Sequence, residues 1–579
     1  MQASRRTYPG MTLIEVVVAS AILLVAFIGL YSLFQASLHY LAIARAREGA
    51  LSLAVERMEE LRALPYSSVG TVSGIPSGTI PQDESVALDG ISYDRRTLIQ
   101  YVDDPADSSG SADADGPEDY KRAKVVVSFS TSYGTSSVDL ISNFIGPGGS
   151  ETNNGGGTLS LTAINAEAQP ISGAEVNVVN TSLNPTINVT TYANTSGLVL
   201  FPGAPPGSGY QITVTYPGYS TAQTYAATSQ NPNPNPGNLT VSANQTTSAT
   251  FAIDALASLL VRTWQPIESA TTTDTLTSSS YLSATSNTGI SGGALTLTSG
   301  QSGYPPSGSA QSTTFTPSYL SQWQNLSWSA TAPAGTSVTV QLFEQNGTLI
   351  PNSALPGNST GFTTSPINIS ALSTSTYPSL IIGATLATNN ASTTPSISSW
   401  SLSYLQGPIP LPSITFSIHG AKTIGTSGLG AAIYKVSQTL STNTSGEYST
   451  STLEWDSYTT AVASTTNWDV SSACPSEPFS VAPGSSGTNN LYLVAHTQNS
   501  LAVAVHSQAT GNPIANATTT LSRSGFSSTV LTDSCGNAFF PGLTAASNYG
   551  LSVSALGYTG TTTAATISVS GQSTYSISL

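Results

Sequence analysis

Two hydrophobic periodicities divide the chain near residue 150. Val16 to Phe34 is a run of 19 residues without a formal charge. At about 1.5 Å per residue, a helix of that length reaches roughly 28 Å, close to the hydrocarbon thickness of a bilayer. Downstream, Leu51, Ala54, Met58 and Leu61 keep helical spacing, while Glu56, Arg57, Glu59, Glu60 and Arg62 supply a polar surface. Pro65 should end the helix, which is therefore predicted over 11–64, a spine of roughly 80 Å. Strands are predicted at Ile91–Tyr101, Lys124–Ser130 and Val138–Ile145, giving a small sheet within 90–145. Beyond residue 158 the period becomes two. Leu159, Leu161 and Ala163 alternate with Ser160 and Thr162, and Val338, Val340 and Leu342 follow the same rule. Short alternating runs broken by Gly, Pro and Asn indicate β-sandwiches. The predicted fold class is an α+β module, a long N-terminal helix plus a small antiparallel sheet, followed by several all-β sandwich domains.

Residues 146–157 (GPGGSETNNGGG) read as a flexible linker that leaves the two halves separable. Within the second half, residues 197–219 align without gaps to 536–558 with 9 identities in 23 positions. Phe201-Pro202-Gly203 matches Phe540-Pro541-Gly542, Tyr210 matches Tyr549, and Tyr219 matches Tyr558. A degenerate third copy is expected from about Ile414, where Asn443 to Gly446 repeats Asn194 to Gly197. This strand, glycine turn, Phe-Pro-Gly corner and Tyr-bearing hairpin resemble carboxypeptidase-regulatory-like domains, which implies non-catalytic immunoglobulin-like sandwiches at 158–255, 409–497 and 498–579. Residues 256–407 differ, with Trp264, Trp323, Trp328 and Trp400. That stretch resembles jelly-roll or discoidin-like sandwiches, some of which bind carbohydrate, so surface glycans are a candidate partner. Exposed tryptophans could stack on sugars, but a buried place in the core is their default. Pro408, Pro410 and Pro412 are expected to form an extended spacer.

Charge narrows the function classes. The 15 Lys and Arg against 30 Asp and Glu give a net charge of −15, which argues against nucleic acid as a partner. Residues 151–579 hold only 4 basic and 13 acidic side chains, a Ser/Thr/Asn/Gly surface that reads as exported. Asp103, Asp104, Asp107, Asp113 and Asp115, with Glu118 and Asp119, form an acidic run between predicted strands. Its DADG segment resembles the start of a calcium loop but lacks full EF-hand spacing, so Ca2+ stands beside a solvated acidic turn as a reading. Cys474 and Cys535 are too few for a disulfide-dense scaffold or a Cys-based zinc cluster. They are a candidate disulfide on an oxidising exterior, with two unpaired thiols in separate modules as the alternative.

The N-terminus carries the sharpest signal. Arg5 and Arg6 precede the apolar run and predict a cytoplasmic N-terminus and an exported C-terminal part. A cleaved signal peptide would use Ala42-Ile43-Ala44, but the apolar run is too long for one, and Glu15 has no role in it. A plain membrane anchor likewise leaves Glu15 unexplained. PGMTLIEVVVA resembles the type IV prepilin motif. The resemblance implies cleavage by prepilin peptidase between Gly10 and Met11, leaving 1–10 as the leader and 11–145 as a pilin-like module. It also implies methylation of Met11, and a Glu15 required for assembly with other pilin or pseudopilin subunits. Two departures are Met11 in place of the commoner Phe, and Pro9 where a basic residue is frequent. The resemblance points to a minor subunit of a type IV pilus or pseudopilus, membrane-anchored and displaying its sandwiches in a surface filament. A type II secretion pseudopilin and a non-polymerising, carbohydrate-binding adhesin are the alternatives. No enzyme is expected: the four histidines are scattered, and Gly357-Asn358-Ser359-Thr360-Gly361 matches G-x-S-x-G without the strand–turn–helix context that chemistry needs.

Overall fold

The computed structural model describes residues 10–103, 118–132, 134–147, 155–463, 467–562 and 567–579. One helix, Leu13–Ala63, runs 51 residues, about 77 Å. Its first half is exposed along its length, and from Ala46 onward it buries Ala50, Leu53, Ala54, Met58 and Leu61. These residues pack on a four-stranded antiparallel meander of Asp83–Leu88, Ile91–Val102, Tyr120–Thr131 and Gly134–Phe144, where Tyr93, Ile99, Val125 and Val127 complete the core. The first strand, DESVAL, was not expected, because its polar start hides the alternation. Arg95 and Arg57 both reach Glu84 on that strand, which ties the helix to the sheet through a half-buried carboxylate. Lys121 is buried, donates to the carbonyls of Tyr66 and Val69 (both 2.8 Å) and lies 4.6 Å from the Tyr66 ring. Burial pulls its ammonium down to about 8.

Three sandwiches share one plan. In each, a first strand runs parallel to the last strand and antiparallel to the strand after an Asx turn. The first strands are Gly157–Ile164, Ala257–Gln265 and Ser500–His506. Their parallel partners are Thr246–Ala252, Ser486–Ala495 and Gln572–Ser578. Their antiparallel partners are Leu198–Ala204, Glu447–Leu453 and Asn537–Phe540. The turn repeats atom for atom. Asn194, Asn443 and Asp533 each accept two backbone N–H bonds on a side-chain oxygen. The glycine three positions on has φ of +71°, +73° and +75° in the three copies. Each such glycine accepts a backbone bond from the first strand, at Ala163, Thr263 and Val505. A Cβ on Gly197 would stand 2.4 Å from the Ala163 carbonyl oxygen, so close packing as well as the positive φ demands glycine here. Each copy also buries a tyrosine whose hydroxyl donates to a carbonyl four or five residues upstream: Tyr210 to Pro205, Tyr458 to Glu454, Tyr549 to Thr544. This is the tyrosine-corner device of immunoglobulin-like sandwiches.

These pairings redraw the domain limits. Ala257, Leu259 and Val261 lie in the same core as Phe416, Ile418, Tyr458 and Leu491, so the third sandwich begins at residue 257 and not near 409. The expected 256–407 domain shrinks to about 268–406, and it is inserted where the other copies have a short turn, Asn165–Gln169 and Ser507–Asn512. The proline spacer is corrected likewise. Ile409–Pro410 pairs with Trp264–Gln265 and the Leu411 N–H bonds the Thr263 carbonyl, so this segment is the closing seam of the insertion. Trp264 moves with its strand and donates to Asn490, 3.1 Å. The inserted sandwich closes over Trp323 and Trp400, both fully buried; Trp323 donates to the Tyr377 carbonyl (2.8 Å) and Trp400 to Asp274 (3.0 Å).

The two halves are not independent beads. Ile75, in the loop after the helix, sits in the core of the first sandwich with Val178, Phe201 and Ile212. Arg96 reaches the Thr190 carbonyl (2.6 Å) and its guanidinium lies 5.1 Å from the Tyr192 ring. The expected separability therefore fails for the first sandwich, because an apolar side chain of the pilin-like module is part of its core. A hairpin arm, Thr423–Thr426 with Ala432–Tyr434, extends from the third sandwich and pairs with Asn233–Pro234 of the first.

Candidate functional site

The N-terminal end of the helix is built by its own residues. Thr12 is the N-cap, with extended backbone, and Glu15 is the third helical residue. Glu15 Oε2 accepts from Thr12 N and Thr12 Oγ1, both 2.9 Å, and the Glu15 N–H returns a 3.4 Å bond to Thr12 Oγ1. This is a reciprocal capping box, and it places a carboxylate where the helix dipole is positive. It also bonds the Glu15 carboxylate to the N–H of the Met11–Thr12 peptide, one residue from where an amine freed at Met11 would lie. Gly10 is exposed, and a Cβ there would meet nothing within 4 Å among the described residues. From Met11 to Leu41 the apolar side chains are exposed: Leu13 is 84% and Leu33 68% accessible. By length and composition this is one helix able to cross a membrane. A bare apolar rod that continues into a folded module needs lipid or other helices around it.

The acidic run is only partly visible. Asp104, Asp107, Asp113 and Asp115 lie outside the described residues, and Asp103, Glu118 and Asp119 flank them. Glu118 is buried beside Gly203 of the first sandwich. With Asp119 it helps raise Tyr66, which burial first and then Tyr101 push up to about 12. Among the described residues no group of three or more His, Cys, Asp or Glu is placed to hold a metal ion. Ser359 of the G-x-S-x-G match sits in a turn and hydrogen-bonds Asn352, while its neighbour Asn358 is buried and bonds Leu342 and Ile350.

Cys474 and Cys535 are joined in a disulfide, with Cα atoms 5.4 Å apart and a sequence separation of 61. Cys474 ends a strand of the third sandwich, and Cys535 lies in the Asx turn of the last. Around the bond, Asn537 donates to the Ala473 carbonyl (2.8 Å), Ser476 and His506 meet at 2.9 Å, and Gln572 bonds Asp469. Asp469 is fully buried and also binds His496 (2.6 Å) and the Thr497 N–H (3.0 Å). Sequence reasoning found the two cysteines but missed this polar seam, whose members are single Asp, Asn, Gln and His residues in separate strands.

Among the described residues, Glu477 in the seam has no cationic partner. It accepts from Thr460 N (2.5 Å), Thr460 Oγ1 and Asn489 (3.3 Å), yet burial outweighs these bonds and raises its carboxyl to about 7. A folded value above the unfolded 4.5 means stability that is complete below about 4.5 and lost as pH rises through about 7. The size is on the order of 3 kcal/mol. His506 opposes it below about 6.5, because burial depresses its folded value. The expected result is a melting transition of the last two sandwiches that falls between about pH 4.5 and 7 and levels off above it, and a Glu477→Gln chain that loses most of this slope. A slope unchanged by Glu477→Gln would assign the pH dependence elsewhere.

Residues 500–579 match the family model of the carboxypeptidase regulatory-like domain. The first and third sandwiches share its strand order, turn and tyrosine corner. No curated protein matches the chain. Among solved structures, the Bacillus anthracis TIE protein is similar at 10% identity, covering 86% of this chain and 72% of that one, with a TM-score of 0.15. The major pilin subunit BcpA of Bacillus cereus is similar at 9% identity, covering 73% of this chain and 99% of that one, with a TM-score of 0.13. The shaft pilin SpaA of Lactobacillus rhamnosus GG is similar at 8% identity, covering 58% and 98%, with a TM-score of 0.14. Scores of this size mark no shared overall arrangement.

Proposed function

We propose that the chain is a minor subunit of a type IV pilus or pseudopilus, cut between Gly10 and Met11 by prepilin peptidase and held by its N-terminal helix in a filament core. The observation that carries this reading is the two-part helix. One stretch, Leu13 to Leu41, is bare and apolar, and its continuation from Ala46 is the spine of a folded module. A plain anchor needs only the first part and would gain nothing from a carboxylate at its edge. Glu15, held at the helix start by Thr12, is positioned to offset the charge of a neighbouring subunit's terminal amine, which has a pKa of about 8 and is mostly protonated. The sandwiches then project outward and provide surface contact, and no catalytic role is assigned to any of them.

The test uses processing. Gly10→Leu removes the small residue at the cut without touching any packed atom, so the expected product keeps the leader and migrates about ten residues heavier than wild type. A Gly10→Leu chain processed like the wild type would overturn the prepilin reading, because a signal-peptide cut far downstream would not sense that position.

A further inference from the structure

The seam between the third and last sandwiches encloses a cleft of about 500 Å³, within the range of small-ligand sites. Its floor is the outer face of the last sandwich's three-stranded sheet. Leu501, Val503 and Val505 point into the core, so Ala502 and Ala504 point out, and on neighbouring strands Phe539 lies opposite Ala502 and Asn537 opposite Ala504. On the other side Thr574 and Ser576 flank the same alanines. The facing wall comes from the third sandwich, with Thr459, Ser471, Asp469 and Glu477.

Three features restrict what fits. Among the described residues no Lys or Arg lines the cleft, whereas two carboxylates do, so an anionic ligand would be desolvated without a counter-charge. Hydroxyl, amide and carboxylate groups surround a half-buried aromatic ring beside a floor of alanines, a mixture that meets a molecule with hydroxyls at its edge and C–H groups on its face. The amide nitrogens of Asn537 and Gln572 are engaged, most of them across the seam, while their carbonyl oxygens accept no hydrogen bond among the described residues. The disulfide and seam bonds fix both walls before any ligand arrives, which lowers the entropic cost of binding.

We propose that this cleft binds a neutral oligosaccharide, one without carboxylate, phosphate or sulfate groups. The site deepens the surface-contact role proposed above but does not depend on filament assembly. The experiment uses the full chain in lipid nanodiscs, so that no glycoside detergent competes. Cellotetraose, maltotetraose and triacetylchitotriose are titrated calorimetrically, with trigalacturonate as the acidic counterpart. At least one neutral sugar is expected to bind, and trigalacturonate to bind at least tenfold more weakly. Phe539→Ala and Ala504→Leu should each weaken that sugar at least tenfold while leaving the disulfide, the melting temperature and filament incorporation unchanged. Ala504→Leu fills the cleft without removing any seam contact, so its effect is separable from misfolding. The proposal is overturned if no neutral sugar binds at millimolar concentration, if trigalacturonate binds as well as the neutral sugars, or if both variants bind like wild type. Loss of filament incorporation by Gly10→Leu with sugar binding intact would leave the cleft standing, whereas normal filaments with no sugar binding would remove the cleft alone.

Discussion

A Glu15→Leu chain should insert into the membrane as well as the wild type and be missing from sheared filaments, a loss of at least tenfold in incorporation. Insertion is safe because the substitution makes the segment more apolar. Folding is safe as well, since losing the capping box costs about 1 kcal/mol. That loss falls on a helix whose far half is fixed by Leu53, Met58 and Leu61 against the sheet. What disappears is the carboxylate beside the proposed mature N-terminus. Glu15→Gln isolates that charge, because glutamine keeps a side-chain acceptor for the Thr12 N–H and Oγ1. Both variants are expected to fail in assembly. If Glu15→Gln enters filaments at the wild-type level, the charge has no assembly role and the helix cap alone explains Glu15.

Removing the disulfide should have the largest effect on stability. The bond closes a loop spanning 61 positions, for which the chain-entropy estimate is about 4 kcal/mol. For a unit of the size of the last two sandwiches this is a drop in melting temperature on the order of 10 °C. Cys474→Ala with Cys535→Ala is therefore expected to melt the third and last sandwiches in a lower, separate transition. The first sandwich and the inserted one lie outside the loop and should be unaffected. Equal gel mobility of non-reduced and reduced protein, together with two titratable thiols, would contradict the bond.

Local chemistry was legible in the sequence where it repeats. The pairing of Tyr210 with Tyr549 and of Asn194 with Asn443 identified structural equivalents, because each residue makes the same bond in its copy. What stayed hidden was which strand belongs to which sheet. Ala257–Gln265 alternates like its neighbours, and a period of two says only that one face is buried, not against what. An insertion of some 140 residues between a first strand and its sandwich leaves no mark in that period. Ile75 was missed for a related reason, as a lone apolar residue in a Gly/Ser/Pro loop reads as loop until its neighbours are known. The cleft was beyond reach: Phe539, Gln572 and Asp469 lie far apart in the chain, and only the disulfide-clasped seam brings them together. At the N-terminus, by contrast, all the relevant residues lie within one helical turn. Gly10, Met11 and Glu15 stand out there as a local motif, while the Thr12 cap that holds Glu15 was not anticipated.

The central claim is that the mature chain begins at the helix. Mass spectrometry of the N-terminal peptide of protein recovered from membranes tests it most directly. The account predicts an N-methylated Met11 as the first residue. An intact Met1 terminus, or one at Arg45 after the Ala42-Ile43-Ala44 triplet, would contradict it.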